Sequence, residues 1–267
     1  MNVMEHLRKK NPLIHCITNY VTACDVANAV LAVGGSPIMA DAPEESSEVT
    51  GMADALVINL GMLNSGKREA MFRSCKKAGE LGLPIVIDPV GVGISVFRRE
   101  TAAELLKAFP FAAIRGNLSE ISYLCGLPAA EKGVDSGAGT GEETALFAAR
   151  KAAKAYRTTV VVTGAEDIVS DGTRTAKIAN GVPEMRQITG MGCMLSGILG
   201  ACAAAEPDTF QAAVTAASTM GIAGELSLEG IGKNGVGSLH VGILDALGRM
   251  DDETVRLRGK IRQDGLV

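Results

Sequence analysis

Apolar positions along the chain fall into two alternating patterns. Short, nearly continuous runs mark Leu13–Ile17, Ala55–Asn59, Pro84–Asp88, Phe111–Arg115 and Thr158–Val162, with Pro37–Met39 as a briefer one. Runs of that length, rich in Val and Ile, predict strands buried on both faces. Between and after them, helical stretches are predicted over 21–33, 65–81, 101–109, 142–156, 192–205, 209–228 and 239–250. Short helices are expected before Asn11-Pro12, after Glu45, and from the N-cap Asn117, with Glu120 three residues on. Two short strands flanking Ser170-Asp171-Gly172 read as a hairpin, and the glycine-rich Ala129–Gly141 as a loop.

Strands alternating with helices build βαβ units. The expected fold class is therefore α/β: a mainly parallel central sheet with helices on both faces, a three-layer α/β/α sandwich. No repeat and no linker divides the chain, so 1–267 is read as one domain. In such sheets ligands bind beyond the carboxyl ends of the strands. That rule selects Asn19, Met39, Asn59, Asp88, Arg115, Asn117 and Thr163 as residues of one rim.

One stretch departs from the general pattern. In Ile188–Ala205 (ITGMGCMLSGILGACAAA), Gly190 and Gly192 flank a single residue, Cys193 follows, and no charge appears before Glu206. This reads as a tight turn delivering the chain into the N-terminus of a buried helix. The free amides and the positive dipole end there make an anion site, and the same position favours a thiolate at Cys193. A plain strand-to-helix connection with a small buried cysteine fits the same residues. The helical part is too short, and too rich in Ala, Gly and Cys, to be a membrane span.

Asp88 ends a predicted strand, and Glu120 lies in the first turn of a helix on the same rim. Each alone is a common structural placement. Beside an anion-binding turn, the two together suggest a Mg2+ site completed by substrate phosphates and water. Arg115 suits bidentate phosphate contact or a carboxylate partner. With the Thr163-Gly164 turn, these are recurring parts of phosphoryl transfer. Of the three histidines, His6, His15 and His240, His15 reads as a satisfied core residue. A cysteine-dependent hydrolase would need one of them beside Cys193.

Composition narrows the options. With 47% hydrophobic and 21% charged residues the chain can bury a sizeable core. Aromatics at 3%, no Trp and a net charge of −4 leave neither stacking residues nor a basic footprint for nucleic acid or membrane. The six cysteines form no Cys-x-x-Cys pair, and charge and Pro12 precede any apolar run. Reduced thiols in a cytoplasmic protein, without a signal peptide, are expected.

The segments ITNYV, DPVGVG, RGNLSE, VVTGAED and ITGMGCMLSG, in that order along essentially the whole chain, resemble the hydroxyethylthiazole kinase family. That family is similar to the wider group of ribokinase-like small-molecule kinases. The resemblance implies ATP-dependent phosphorylation of the alcohol of 4-methyl-5-(2-hydroxyethyl)thiazole in thiamine salvage, with Mg2+ and a homotrimer. It implies Arg115, Asn117, Thr163 and Gly164 as ATP contacts, and Met39, Asn19 and Gly190 as substrate contacts. Asp88 and Glu120 become the metal and phosphate site, and Gly190, Gly192 and Cys193 the catalytic turn. Most ribokinase-like kinases carry aspartate where Cys193 stands, which separates this reading from a hydroxymethylpyrimidine kinase. A cysteine-dependent hydrolase and a nucleotide-binding regulator without catalysis are the competing readings from different classes. The chain departs from the family pattern at Met191, Val236 and Leu239, where Thr, Pro and Phe are usual.

Overall fold

A computed structural model of the chain describes residues 2–127, 141–231 and 235–264. The predicted loop within Ala129–Gly141 therefore lies almost wholly outside the described residues, as does part of the glycine-rich Gly230–Gly237.

Among the described residues nine strands form one sheet in the order β2-β1-β3-β4-β5-β6-β7-β8-β9. These are β1 (Leu13–Ile17), β2 (Ser36–Ile38), β3 (Ala55–Asn59), β4 (Ile85–Asp88), β5 (Ala113–Asn117), β6 (Thr159–Thr163), β7 (Asp167–Ser170), β8 (Thr175–Ile178) and β9 (Ile261–Asp264). Pairing is parallel from β2 through β6 and antiparallel from there to β9.

Side chains alternate across the strands, and this splits the core in two. Ile14, Cys16, Val57, Val86 and Val161 face one helical layer, formed by α1 (Val3–Lys10), α2 (Ala23–Val33), α8 (Met191–Ala205), α9 (Thr209–Ile231) and α10 (Val236–Arg249). Ile17, Ile58, Ile87, Ile114 and Val162 face the other, which includes α4 (Ser65–Leu81), α5 (Val96–Ala108), α6 (Leu118–Leu124) and α7 (Gly141–Tyr156). The short α3 (Ser46–Met52) packs on α4. The three-layer α/β/α sandwich expected from the sequence is the architecture found.

Helix α8 lies unusually close to the sheet. A Cβ on Gly200 would meet Val57 at 2.3 Å, and one on Gly197 would meet Val26 of α2 at 3.0 Å. A side chain at Gly200 would force the helix or Val57 of β3 to shift, whereas one at Gly197 would need α2 to give by only a few tenths of an ångström.

Three differences from the sequence expectation have physical causes. Strand β5 begins at Ala113 and not Phe111, because Val86 pairs with Ala113 and the chain enters the sheet only after Pro110. Arg115 consequently lies inside the strand, and Asn117 ends it. Helix α5 starts at Val96, capped by Ser95, whose side chain accepts from the Arg98 amide. The carboxyl-terminal α11 (Asp252–Arg258) and β9 went unpredicted because their sequences, DETVRLR and IRQD, carry no apolar stripe. Both sit at the margin of the fold, with β9 as an edge strand.

Candidate functional site

The carboxyl ends of β1, β3, β4 and β5 converge on the amino end of α8. Gly190 caps that helix with φ 90°, a backbone conformation that suits glycine, and no side chain caps its amides. A Cβ on Gly190 would strike Thr22 at 2.8 Å, so the turn is seated on the start of α2. The Met194 amide donates to the Gly190 carbonyl at 2.8 Å and starts the helical ladder.

Cys193 faces a row of amides. Its Sγ accepts from Asn19 Nδ2 at 3.3 Å and from Asn59 Nδ2 at 3.4 Å. Asn59 also donates to Asp88 Oδ2 at 3.0 Å, while its Oδ1 accepts from the Gly61 amide at 2.8 Å and from Asn19 at 3.3 Å. Asn19 Oδ1 accepts from the Thr22 amide and hydroxyl, both at 3.1 Å. Three neighbouring strand ends are thus tied to one helix turn.

Asp88 is fully buried. Its Oδ2 accepts from Asn59, from Ser196 Oγ at 2.9 Å and from Arg115 at 3.4 Å, whereas Oδ1 is buried without a partner. Burial pulls the Asp88 carboxyl upward against the opposing pull of Arg115, Ser196 and Asn59. The Arg115 guanidinium donates to Thr163 Oγ1 at 2.8 Å and lies against the Gly192 backbone, where a Cβ would fall 2.3 Å from it. Arg115 and Gly192 both line the neighbouring cleft, so the guanidinium joins Asp88 to it.

Glu120 completes the capping box of α6 with Asn117. The Asn117 side chain accepts from the Glu120 amide, and the Glu120 carboxylate accepts from the amides of Asn117 and Gly91, each at 2.9 Å. Burial and then the nearby Asp88 raise the Glu120 carboxyl above its ordinary range. The thiol of Cys193 is raised as well, first by burial and then by Asp88, against hydrogen bonds from Thr22 and Asn19. Burial thus works against the thiolate expected at the helix N-terminus.

Among the described residues no histidine bonds the thiol. His15 is committed to Thr50 Oγ1 at 2.9 Å and the Ala40 carbonyl at 2.8 Å, as a satisfied core histidine. The cysteine-dependent hydrolase reading has no base here.

Beside this cluster opens a cleft of ≈ 550 Å³. Arg115, Thr163, Gly164 and the Gly190–Gly192 turn form its polar end, and Val182, Met185, Ile188 and Met220 its apolar wall. The 3-10 helix Pro183–Gln187, unpredicted because it is a single tight turn, supplies Met185. The structure therefore brings Arg115, Thr163, Gly164, Gly190 and Gly192 to one cleft, with Cys193, Asn19 and Asp88 immediately behind the turn. Asn117 and Glu120 lie at the end of β5 outside the cleft lining. Met39 is exposed where the chain leaves the edge strand β2 beside the end of β1, outside the cleft lining.

Thr22, Ser196 and Asp167 were missed from the sequence. Ser196 could have been found from its spacing: it lies one helical turn after Gly192, whose carbonyl it also contacts. Asp167 lines the cleft, accepts from the Gly164 amide at 3.0 Å, and is pushed by burial up to about 6. Below its ordinary 3.8 both folded and unfolded chains hold the proton. Between 3.8 and about 6 only the unfolded chain ionises, so stability falls as pH rises and the full cost persists above that window. Asp167→Asn, which keeps the acceptor for Gly164, should stabilise the protein by about 2 kcal/mol at pH 7.5, after discounting for partial exposure, and little at pH 4. Denaturant melts at the two pH values check this, and an equal gain at both would contradict it.

Known proteins resemble the chain along nearly its whole length. The model of the hydroxyethylthiazole kinase family matches residues 4–253. The hydroxyethylthiazole kinase of Clostridium beijerinckii is 43% identical over 265 residues, covering 98% of this chain and 96% of that protein. That of Ruminiclostridium cellulolyticum is 44% identical over 262 residues, with 98% and 96% covered. The solved structure of the hydroxyethylthiazole kinase protein from Pyrococcus horikoshii superposes with a TM-score of 0.89 at 41% identity, covering 98% of this chain and 97% of that one. The pyridoxal kinase of Staphylococcus aureus, at 14% identity and TM-score 0.66, covering 95% of this chain and 98% of that one, shares the fold alone.

Proposed function

The chain belongs to the hydroxyethylthiazole kinase family, and from that premise we propose that it transfers the γ-phosphoryl group of ATP to the alcohol of 4-methyl-5-(2-hydroxyethyl)thiazole, a step of thiamine salvage. The observation that carries this reading is the Arg115 guanidinium. It reaches Asp88 and the Gly192 backbone from the side of the cleft, and so stands between a nucleotide-sized space and the Asn19–Cys193 cluster. A cation held there neutralises the charge that develops on a transferring phosphoryl group.

In this reading Thr163, Gly164 and Asn117 flank the nucleotide phosphates, the Gly190–Cys193 turn directs its amides at the γ-phosphate, and Asn19, Gly190 and Met39 border the acceptor. The residues fit a magnesium ion of the kind held mainly by phosphates and water. Asp88 offers a buried oxygen with no other partner, and Glu120, already accepting two amides, stands beside it to hold the ion's water. When bound, the ion supplies charge neutralisation on the phosphates. Asp88 and Arg115 meanwhile hold their positions through Asn59, Ser196 and Thr163.

Cys193 is a polar positioner and weak base for the acceptor hydroxyl, not a covalent nucleophile, and aspartate in its place serves the same end. Cys193→Asp should retain at least about a tenth of wild-type kcat/KM, because base strength contributes little to a loose transition state. A variant with no turnover would instead indicate a covalent role. Exposed Tyr20, Val21, Met39 and Met62 follow the neighbouring strands β1, β2 and β3 on this rim, which supports a homotrimer that covers them. Among the described residues no helix is long and apolar enough to cross a membrane, in keeping with the cytoplasm as the site of action.

The deciding experiment is ADP release from ATP and Mg2+, with the thiazole alcohol, with hydroxymethylpyrimidine, or with neither. Release that depends on the thiazole is expected. Release with the pyrimidine alone would reassign the acceptor, and ATP binding without release would make the protein a regulator.

A further inference from the structure

Among the described residues, the large and fully buried side chains include a lysine. Lys67 is 1% exposed, although it belongs to neither the cleft nor the Cys193 cluster. It is also misplaced by ordinary rules. Lys67 lies in the first turn of α4, three residues after the capping Asn64, where the helix dipole disfavours a cation. Burial lowers the affinity of its amine for a proton, and Asp41 opposes that shift. An apolar side chain of the same length would avoid both costs.

What the ammonium touches gives it a role. It donates to the backbone carbonyl of Thr18 at 2.8 Å, sits 4.1 Å from the centre of the Tyr20 ring, and lies 3.7 Å from Asp41 Oδ2. Tyr20 Oη in turn donates to the same Asp41 oxygen at 2.5 Å. The ammonium therefore grips the chain on both sides of Asn19, at the carbonyl before it and the ring after it. Asn19 is the residue whose amide reaches Cys193 and Asn59.

We propose that Lys67 is a positioning residue for the acceptor alcohol: by holding Thr18 and Tyr20 it fixes Asn19 against Cys193. The proposal rests on the acceptor site assigned under the kinase reading. Its consequence is one-sided. Loss of the ammonium loosens the acceptor wall, while Arg115, Thr163 and the cleft are tied to other partners and stay in place.

The test uses Lys67→Met, of nearly equal length, and Asp41→Asn, which leaves Lys67 in place and weakens its anchor. Two readouts are taken on the full-length protein. The first is a pair of KM values, one for the thiazole alcohol and one for ATP. The second is the iodoacetamide alkylation rate of Cys193 in unliganded protein, followed by peptide mass spectrometry so that exposed Cys24 is counted separately. In Lys67→Met the thiazole KM should rise about tenfold with the ATP KM within about twofold, and Cys193 should alkylate at least about fivefold faster. Asp41→Asn should shift both in the same direction by less, and it decides the matter if Lys67→Met does not fold. Unchanged Cys193 alkylation, or KM values that move together, would overturn the proposal. Absence of thiazole turnover in the wild type would sink the kinase reading instead, and the alkylation rates would still judge the lysine.

Discussion

Replacing Gly192 with alanine is expected to lower kcat/KM by about 10²-fold while leaving the melting temperature within a few degrees of wild type. An added methyl would lie 2.3 to 2.6 Å from the guanidinium of Arg115. The neighbour is the tip of a flexible side chain, so the fold can accept the methyl by letting the arginine swing away. Alanine is also favoured over glycine inside a helix by about 0.5–1 kcal/mol, which offsets the packing that the displaced arginine gives up. What does not survive is the placement of the charge: a guanidinium displaced by an ångström or so stays close enough to Asp88 to serve as its countercharge but is no longer aimed at the cleft. Steady-state kinetics and a thermal melt on the same preparation separate the two effects. Full activity would mean that the position of the arginine is irrelevant to turnover.

Removing that guanidinium should damage both properties. In Arg115→Met, kcat/KM is expected to fall by about 10³-fold or more, the range seen when an arginine that stabilises phosphoryl charge is lost. Stability should fall by about 3 kcal/mol, because Asp88 is left as a buried carboxylate with no countercharge. Adding Asp88→Asn separates the two. Asparagine can still accept from Ser196 and Asn59 and carries no charge, so the double variant should regain most of the stability and none of the activity. Chemical denaturation and kinetics on the three proteins check this. Recovery of activity with stability would show that Arg115 serves the fold alone.

Much of this was legible in the sequence because parallel strands buried on both faces announce themselves as short apolar runs. The rim rule then placed Asn19, Asn59, Asp88 and Thr163 at strand ends, where they are found. The glycine turn and the capping box of Asn117 and Glu120 were readable because each is set by local backbone geometry. The state of Cys193 was not, since a desolvated thiol depends on what packs over it from Asn19, Asn59 and Thr22, residues far apart in the chain. Lys67 was hidden for a related reason. In a helix with several basic residues one lysine looks like another, and only the fold shows which of them turns inward. The late helix and edge strand lacked any pattern because they bury little.

The two close approaches of α8, Gly200 on Val57 and Gly197 on Val26, give the pocket one hard wall and one soft wall. Helix α8 cannot sink, or accept bulk at Gly200, without disturbing the sheet beneath it, so the turn that carries Cys193 is held from below. The opposite side is held by an asparagine, a threonine and the segment that Lys67 grips. An enzyme of this build has freedom to admit a different alcohol only from that side. Changes of acceptor should therefore enter through the turn after β1 and the chain following β2, while the phosphate end keeps its shape.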